Sequence, residues 1–440
     1  MCGFVISNFP HNPDDTRLKH VKQRGPDHTN SSIEEGVQFT HYLLSLVAPM
    51  QAQPYSTGKT TVVFNGEIYN FRNLGQYASE AETIARVYES DGVDAFTALD
   101  GEFVIVVFDW TRQLIHVALD TFGTKPISMG VTGGQQFVIT SLPSALSLLP
   151  EADPIFFSPN TVTTLFLSTL KIDKVRRHKV FSLKQHKTHY DDWCLAFEAA
   201  VEKRTRVEAL SGDQIFIGLS TGHDSGAIAA ALLKQERKFT AFSVYDPRLA
   251  VDYARRAVAI NPCADHMLLR DTRNCEPTNI ESEAFQYRLY SIQGDYSESN
   301  TSNNDAGGKG LHLVCKKAQK QQLKVYLSGS GADEITSDYG FNGTRIYPHS
   351  NFGGRFSQDL STIFPWPSFY CSSMRSYLMK EEYIAGSYGI EGRYPFLDTN
   401  LVQAFLSLDE RLKNVEYKAP IAYYLRKVDF PFSPDKKYGF

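Results

Sequence analysis

Cysteine is scarce and scattered. The 440 residues hold six, at positions 2, 194, 263, 275, 315 and 371, and no two stand as Cys-x-x-Cys. That argues against a zinc ribbon or a disulfide framework and makes a reducing, cytoplasmic setting the expectation. No apolar run approaches the ~20 residues needed to span a bilayer. No basic patch followed by an apolar core opens the chain, so no secretory signal is read there. An excess of positive charge is missing too: 45 Lys and Arg stand against 49 Asp and Glu, a formal net charge of −4. Neither a nucleic acid nor an anionic membrane surface has an electrostatic claim on such a chain. No internal repeat is visible. What remains is ordinary for a globular protein, 42% hydrophobic and 21% charged, with length for two or three domains at ~100–200 residues each.

From Gly3 to about Leu170, strand signals follow one another. Gly3–Ser7, Phe39–Val47, Thr60–Tyr69, Phe103–Trp110, Leu114–Asp120, Gln136–Ser141 and Val162–Leu170 are rich in Val, Ile, Phe and Thr. The spacings are mostly too short for parallel crossovers, so largely antiparallel sheets are expected. A helix is expected over Glu80–Ser90, where Ala81, Ile84, Ala85 and Tyr88 recur at helical spacing. Cys2 directly follows Met1. A small residue there is usually part of a frayed end. Removal of the methionine would instead leave Cys2 with a free amine of pKa ~7.7–8.0 beside a thiol of pKa ~8.5. Such an amine can serve as the base for its own thiol. Asn65-Gly66 closes an apolar strand. An Asn amide and a glycine N–H there suit an oxyanion hole, although the same dipeptide is also a hairpin signal. Arg24-Gly25-Pro26-Asp27 reads as a second polar turn.

The polar, basic stretch Lys171–His189 reads as a boundary, dividing the chain into domains at 1–185 and 186–440. A helix is expected over Tyr190–Arg206, with Trp193, Phe197, Ala200 and Val201 on one face. The run Ile215–Ile217 then leads into Gly218-Leu219-Ser220-Thr221-Gly222-His223-Asp224-Ser225-Gly226, and an alanine-rich helical run leaves it. Backbone N–H groups and the hydroxyls of Ser220 and Ser225 can grip a phosphate at such a helix start. Asp224 would repel that phosphate unless Mg2+ stood between them. A similar loop, Ser328–Glu334, follows the apolar Leu323–Leu327. Its Asp333 either shares the ion or caps the next helix. Phe239–Tyr245 reads as a strand and Asp252–Ala259 as a helix. This alternation implies an α/β doubly wound parallel sheet with its ligand beyond the strand C-termini. Gly294–Gly310, rich in Ser, Asn and Gly, reads either as an acceptor loop or as plain surface.

Several motifs carry a resemblance. Met1-Cys2-Gly3-Phe4, Arg24–Asp27, Asn65–Asn70 and Leu99–Phe103, in that order, resemble the glutaminase domain of class II (N-terminal-nucleophile) glutamine amidotransferases. Ser220–Ser225 resembles the Ser-Gly-Gly-x-Asp-Ser loop of ATP pyrophosphatases, with Thr221 at the first glycine. Ser328–Glu334 and Glu391–Asp398 are similar to Ser-Gly-Glu-Gly-Ala-Asp-Glu and Glu-x-Arg-x-Pro-Phe-Leu-Asp of glutamine-dependent asparagine synthetases. The resemblance spans nearly the whole chain. It implies an αββα sandwich followed by an ATP-pyrophosphatase domain.

The resemblance also implies roles. Cys2 would attack glutamine, with Asn65 and Gly66 as the oxyanion hole, and Leu46, Val47, Asn65, Gly66, Glu67 and Glu80 would hold the glutamine. ATP and pyrophosphate would meet Leu219, Ser220, Thr221, Gly222, Asp224, Ser225, Val244, Ser328, Gly329 and Lys418, with Lys437 as the other lysine candidate. Ser330 and Glu391 would face the acceptor, and Asp224 and Asp333 would hold Mg2+. ATP would adenylate a carboxylate, pyrophosphate would leave, and ammonia reaching the second domain through a passage would displace AMP. L-Aspartate is the default acceptor. A uronic acid of a surface glycan, another small-molecule acid, or a binding scaffold without activity are the alternatives. The expected partners are glutamine, ATP and a small carboxylate, with a homodimer as the assembly to test. Three departures stand out. Leu43 replaces an arginine that would clamp the glutamine carboxylate, Glu80 replaces an aspartate, and Ser330 replaces a glutamate.

Overall fold

The computed structural model describes residues 1–46, 50–205, 214–270, 286–287, 300–301 and 306–433. The chain divides into two compact units, one of Met1–Val180 with Gly386–Gly389, the other of Phe181–Ala385 with Ile390–Phe440.

The first unit is built on two six-stranded sheets, antiparallel throughout. At the centre of one, Gly3–Ser7 lies between Val37–Leu43 and Phe137–Thr140. At the centre of the other, Gly101–Asp109 lies between Thr60–Ile68 and Leu114–Leu119. Successive side chains of a strand point to opposite faces, so even-numbered Phe4 and Ile6 meet Val104, Val106 and Phe108 in the core between the sheets. The other face of the second sheet, with Val62, Phe64, Phe103 and Ile105, packs on Ile84, Ala85 and Tyr88 of the helix Glu80–Asp91. Ser79 caps that helix by accepting a hydrogen bond from Glu82 N at 3.0 Å. Lys19–Arg24 forms a short helix against Gly3. A Cβ on Gly3 would come within 2.2 Å of the Val21 carbonyl oxygen, so only glycine admits the helix. The layers thus run helix, sheet, sheet, helix.

Two sequence expectations need correction here. The stretch after Lys171 is not all linker: Ile172–Arg177 is an edge strand paired with Thr161–Phe166. Every residue in it is exposed and three are basic, which hides its strand character while protecting the edge from further pairing. The strand expected at Phe39–Val47 runs from Val37 to Leu43. It stops because Asp27 draws the chain aside, its N–H donating to Leu43 O at 3.0 Å and its carboxylate accepting from Ser45 N at 2.7 Å.

In the second unit, five parallel strands run in the order Ala264–Arg270, Phe239–Tyr245, Ile215–Gly218, Val325–Leu327, Glu391–Arg393. The chain builds outward from Ile215–Gly218 in one direction, then returns to place Val325–Leu327 on its other side. The strand order reverses between these two neighbours, and in an open parallel sheet such a switch point is where ligands bind, beyond the C-terminal ends of the strands. The helix Asp191–Thr205 buries Trp193, Phe197, Ala200 and Val201. Asp398 caps the helix Thr399–Ser407 and also takes Lys203 and Arg204 at 2.6 and 3.1 Å.

Candidate active sites

Cys2 precedes Phe4 by two residues and Asn65 follows Val63 by two, so strand parity aims both at the space between the sheets. They meet: Cys2 N donates to Asn65 Oδ1 at 2.9 Å. That bond turns the Asn65 side chain so that Nδ2 is buried with no partner among the described residues. An N–H pair held without an acceptor is what a developing oxyanion requires. Next to it, Gly66 has φ +118°, and a Cβ there would fall 1.8 Å from the Glu102 carbonyl oxygen. Glu67 lies opposite Glu102 across the strand pair. Glu80, the first residue of its helix, accepts a hydrogen bond from Ile68 N at 2.6 Å. Leu43 and Leu46 are buried; Val47 lies outside the described residues.

Two residues here were given no role by the sequence. Arg24 is wholly buried, and its Nε donates to Cys2 O at 3.2 Å. His41 shares the inner face with Phe4. Neither of its ring nitrogens has a partner among the described residues, and burial pushes its pKa down to about 3.

In the second unit, the loop after Ile215–Gly218 is a nest closed by its own serines. Ser220 N donates to Ser225 Oγ at 3.1 Å, and Gly222 N to Ser220 Oγ at 3.1 Å. Gly222 then starts the helix His223–Lys234, with Asp224 in its first turn. Arg256 holds the loop from behind. Its Nη1 donates to Ser220 O and its Nη2 to Gly222 O, the latter at 2.9 Å. With those carbonyls pinned outward, the remaining backbone donors are left for an anion. Burial lowers the Arg256 pKa to about 10, so the guanidinium stays charged near neutrality. The sequence expected this helix but not the arginine's part. Its signal is position: Tyr253, Arg256 and Ile260 are the buried stripe of Ala250–Ile260. A polar cleft of about 110 Å³ opens beside it, lined by Thr221, Asp252, Arg255 and Arg256.

The Ser328–Glu334 loop comes against this nest. A Cβ on Gly329 would lie 2.9 Å from Asp224 Cβ, so glycine permits the approach. Asp333 does not cap the following helix, because Gly331 does, with φ +93°. The Asp333 carboxylate instead accepts from Tyr417 Oη at 2.6 Å. It also faces Lys418, whose Nζ stands 2.9 Å from Asp333 Oδ2 and 2.7 and 2.6 Å from the two Asp224 oxygens. Burial works against the Lys418 charge, but Asp224 and then Asp333 hold its pKa above the usual lysine value. The two carboxylates therefore converge on one cation, an oxygen donor set that also suits a hard ion such as Mg2+. Lys437 lies outside the described residues, as does most of Gly294–Gly310. Val244 sits near the C-terminal end of its strand, its carbonyl accepting from Tyr253 Oη at 3.0 Å.

Glu391, expected at the acceptor, lies within the edge strand of the sheet. It pairs in register with Val325, two residues short of the ligand end of the sheet. Its carboxylate is buried against Arg393 Nε at 2.7 Å. The Glu391–Asp398 motif thus supplies an ion pair inside the sheet and a helix cap. Ser330 does stand in the loop at the ligand end.

Residues 1–189 match the family model of the glutamine amidotransferase domain, and residues 195–358 match that of asparagine synthase. Among curated proteins, the chain is similar to asparagine synthetase [glutamine-hydrolyzing] 2 of Arabidopsis thaliana, with 26% identity covering 91% of this chain and 68% of that protein. It is similar to asparagine synthetase [glutamine-hydrolyzing] 1 of Saccharomyces cerevisiae at 24%, covering 99% and 82%. For the human asparagine synthetase [glutamine-hydrolyzing], the figures are 23%, 89% and 74%.

Proposed function

We propose that this chain, which belongs to the glutamine-dependent asparagine synthetase family and is a glutamine-hydrolysing amide ligase, amidates L-aspartate to L-asparagine. The observation that carries the ligase half is the Lys418 ammonium held by Asp224 and Asp333 beside a serine nest.

In the first unit, the Cys2 thiolate attacks the side-chain carbonyl carbon of glutamine. Asn65 Nδ2 and the Gly66 N–H receive the oxyanion. The amine exposed by loss of Met1 takes the thiol proton and returns it to the departing ammonia, leaving a thioester that water cleaves to glutamate. Glu67 and Glu80 hold the substrate α-ammonium; with Leu43 in place of an arginine, the glutamine carboxylate draws its cation from elsewhere.

In the second unit, an oxygen of the acceptor carboxylate attacks the α-phosphorus of ATP, and the bond to pyrophosphate breaks. The Ser220–Ser225 nest, Ser328, Gly329 and Lys418 grip the departing pyrophosphate. Asp224 and Asp333 are the residues that would hold Mg2+, which when bound neutralises phosphate charge. Ammonia then takes the acyl carbon, and AMP leaves.

The test supplies purified protein with Mg-ATP and L-aspartate, plus either glutamine or ammonium chloride, and measures pyrophosphate and asparagine. Both nitrogen sources are expected to work, and Cys2→Ala is expected to abolish only the glutamine-driven reaction. Pyrophosphate no higher than without acceptor, across aspartate and a panel of other dicarboxylates and uronic acids, would sink the ligase reading. A folded Cys2→Ala protein that loses both reactions would sink the division of labour between the units.

A further inference from the structure

The buried acids of the second unit have partners that account for them. Glu391 is paired with Arg393, Asp398 with Lys203 and Arg204, Glu382 with the Tyr394 hydroxyl, and Glu334 with Tyr339 and the Gly331 N–H. Glu381 is different. It comes from the helix Ser373–Ser387 and lies against the loop that follows Val325–Leu327. Ser330 Oγ donates to its Oε1 at 2.9 Å. Its Oε2 is buried and has no hydrogen-bond partner among the described residues. Leaving a carboxylate oxygen dry and unpaired is costly for a fold, and such a group is retained where a ligand uses it. Its position is the right one for a ligand. The serine that holds it follows Gly329, the residue packed on Asp224 of the phosphate loop.

We propose that Glu381 is a catalytic residue of the ligase half and that its Oε2 accepts the proton shed by nitrogen during amide formation. The proposal rests on the ligase reading above. The nitrogen lone pair of ammonia forms the new C–N bond at the acyl carbon of the adenylate. One N–H proton passes to Glu381 Oε2. The C–O bond to AMP breaks, its electron pair leaving on the phosphate, and the carboxyl later returns the proton to water. Ser330 keeps Oε1 occupied, so the carboxylate presents a single basic oxygen. Burial raises the Glu381 pKa while the Ser330 hydroxyl draws it back, which leaves the group a stronger base than an exposed glutamate. A serine at 330, where the asparagine synthetase motif has a glutamate, thus coincides with an acid reaching the same loop from another helix.

The test uses the full chain with Mg-ATP, ammonium chloride and L-aspartate, or whichever carboxylate of the panel supports wild-type turnover. ATP–pyrophosphate exchange without ammonium reports adenylate formation alone, and amide yield reports the complete reaction. Glu381→Gln keeps the shape and an acceptor for Ser330. It is expected to hold exchange within about threefold of wild type while amide formation falls ~100-fold or more, the scale of a lost general base. Ser330→Glu combined with Glu381→Ala returns a carboxylate from the loop side and is expected to recover at least about tenfold over Glu381→Ala alone. Wild-type amide rates in Glu381→Gln, or parallel loss of exchange and amide without recovery in the double variant, would overturn the proposal. Wild-type protein giving neither half-reaction would sink the ligase reading and this inference with it. Wild-type protein giving both beside an unimpaired Glu381→Gln would sink this inference alone.

Discussion

Replacing Lys418 by methionine removes one ammonium from between two carboxylates. Three carboxylate oxygens lie 2.6 to 2.9 Å from Nζ, and the lysine is only 2% exposed. Two charges ~4 Å apart at an effective dielectric of about 20 attract by ~4 kcal/mol, before the cost of desolvating them. Measured losses on removing one partner of a buried pair run to about 3–5 kcal/mol, because the other charge stays buried and uncompensated. For a folding unit of this size, each kcal/mol moves Tm by ~2–4 °C, so the second unit is expected to melt roughly 6–20 °C lower in EDTA. Mg2+ has to displace an ammonium in the wild type but not in the variant. At 100 times its Kd it stabilises by ~2.7 kcal/mol, returning about 5–11 °C to Lys418→Met and less to the wild type. Scanning calorimetry in EDTA and in magnesium reads both effects without any turnover. An unshifted Tm in EDTA, or a magnesium response no larger than that of the wild type, would refute the view that one cation position is shared by Asp224 and Asp333.

Arg256→Met frees the carbonyls of Ser220 and Gly222, each bonded to a charged donor at ~1.5–3 kcal/mol. At 1.4 kcal/mol per decade, the KM for ATP is expected to rise about tenfold or more, with the KM for the carboxylate little changed; an unaltered ATP KM would count against the backing role. His41→Leu tests the pH dependence of the first unit. A buried imidazole neutral down to about pH 3 binds its proton later than in the unfolded chain, so wild-type stability is lost as pH falls from about 6.5 toward 3. By ~1.4 kcal/mol per pKa unit the loss reaches roughly 4–5 kcal/mol, and the variant should show a flatter Tm profile across that window. Thr221→Gly is expected to leave Tm within about 2 °C and the ATP KM within about threefold, the range of a substitution that relieves no strain.

The central strands and both glycine loops were legible because each rests on local chemistry. Gly3–Ser7 and Thr60–Ile68 are buried, β-rich runs, and small residues between a strand and a helix mark an anion turn wherever they occur. Ile172–Arg177 and His28–Glu34 were not legible. Both are sheet edges whose residues are exposed or only half-buried, so no apolar alternation betrays them. The site residues that escaped notice share a different cause. Arg256, Glu381 and Arg24 act on a backbone or a hydroxyl far away in sequence, as when Glu381 meets Ser330 across 51 positions. Only the tertiary fold creates such contacts. Glu391 differs: its motif is specific in sequence, and the contact the fold gives it is local, an ion pair with Arg393 two residues on.

Thr221 shows how the fold changes the meaning of a departure. A glycine in a phosphate loop is needed for one of two reasons: a backbone angle that side chains resist, or an approach too close for a Cβ. The first reason is absent from this turn. Thr221 is not among the residues with positive φ, and Gly222 has φ −71°, a value open to any residue. The second reason falls on other glycines. A Cβ on Gly226 would stand 2.8 Å from Arg256 Nη2, and one on Gly329 would stand 2.9 Å from Asp224 Cβ. The threonine is therefore accommodated without strain, and its Oγ1 is buried with no partner among the described residues. It adds a hydroxyl to a loop already built from hydroxyls and N–H groups. The conformational demands of the turn lie where the arginine and the second loop press on it, so Gly226 and Gly329, not Thr221, are the positions where a methyl group would force the turn apart.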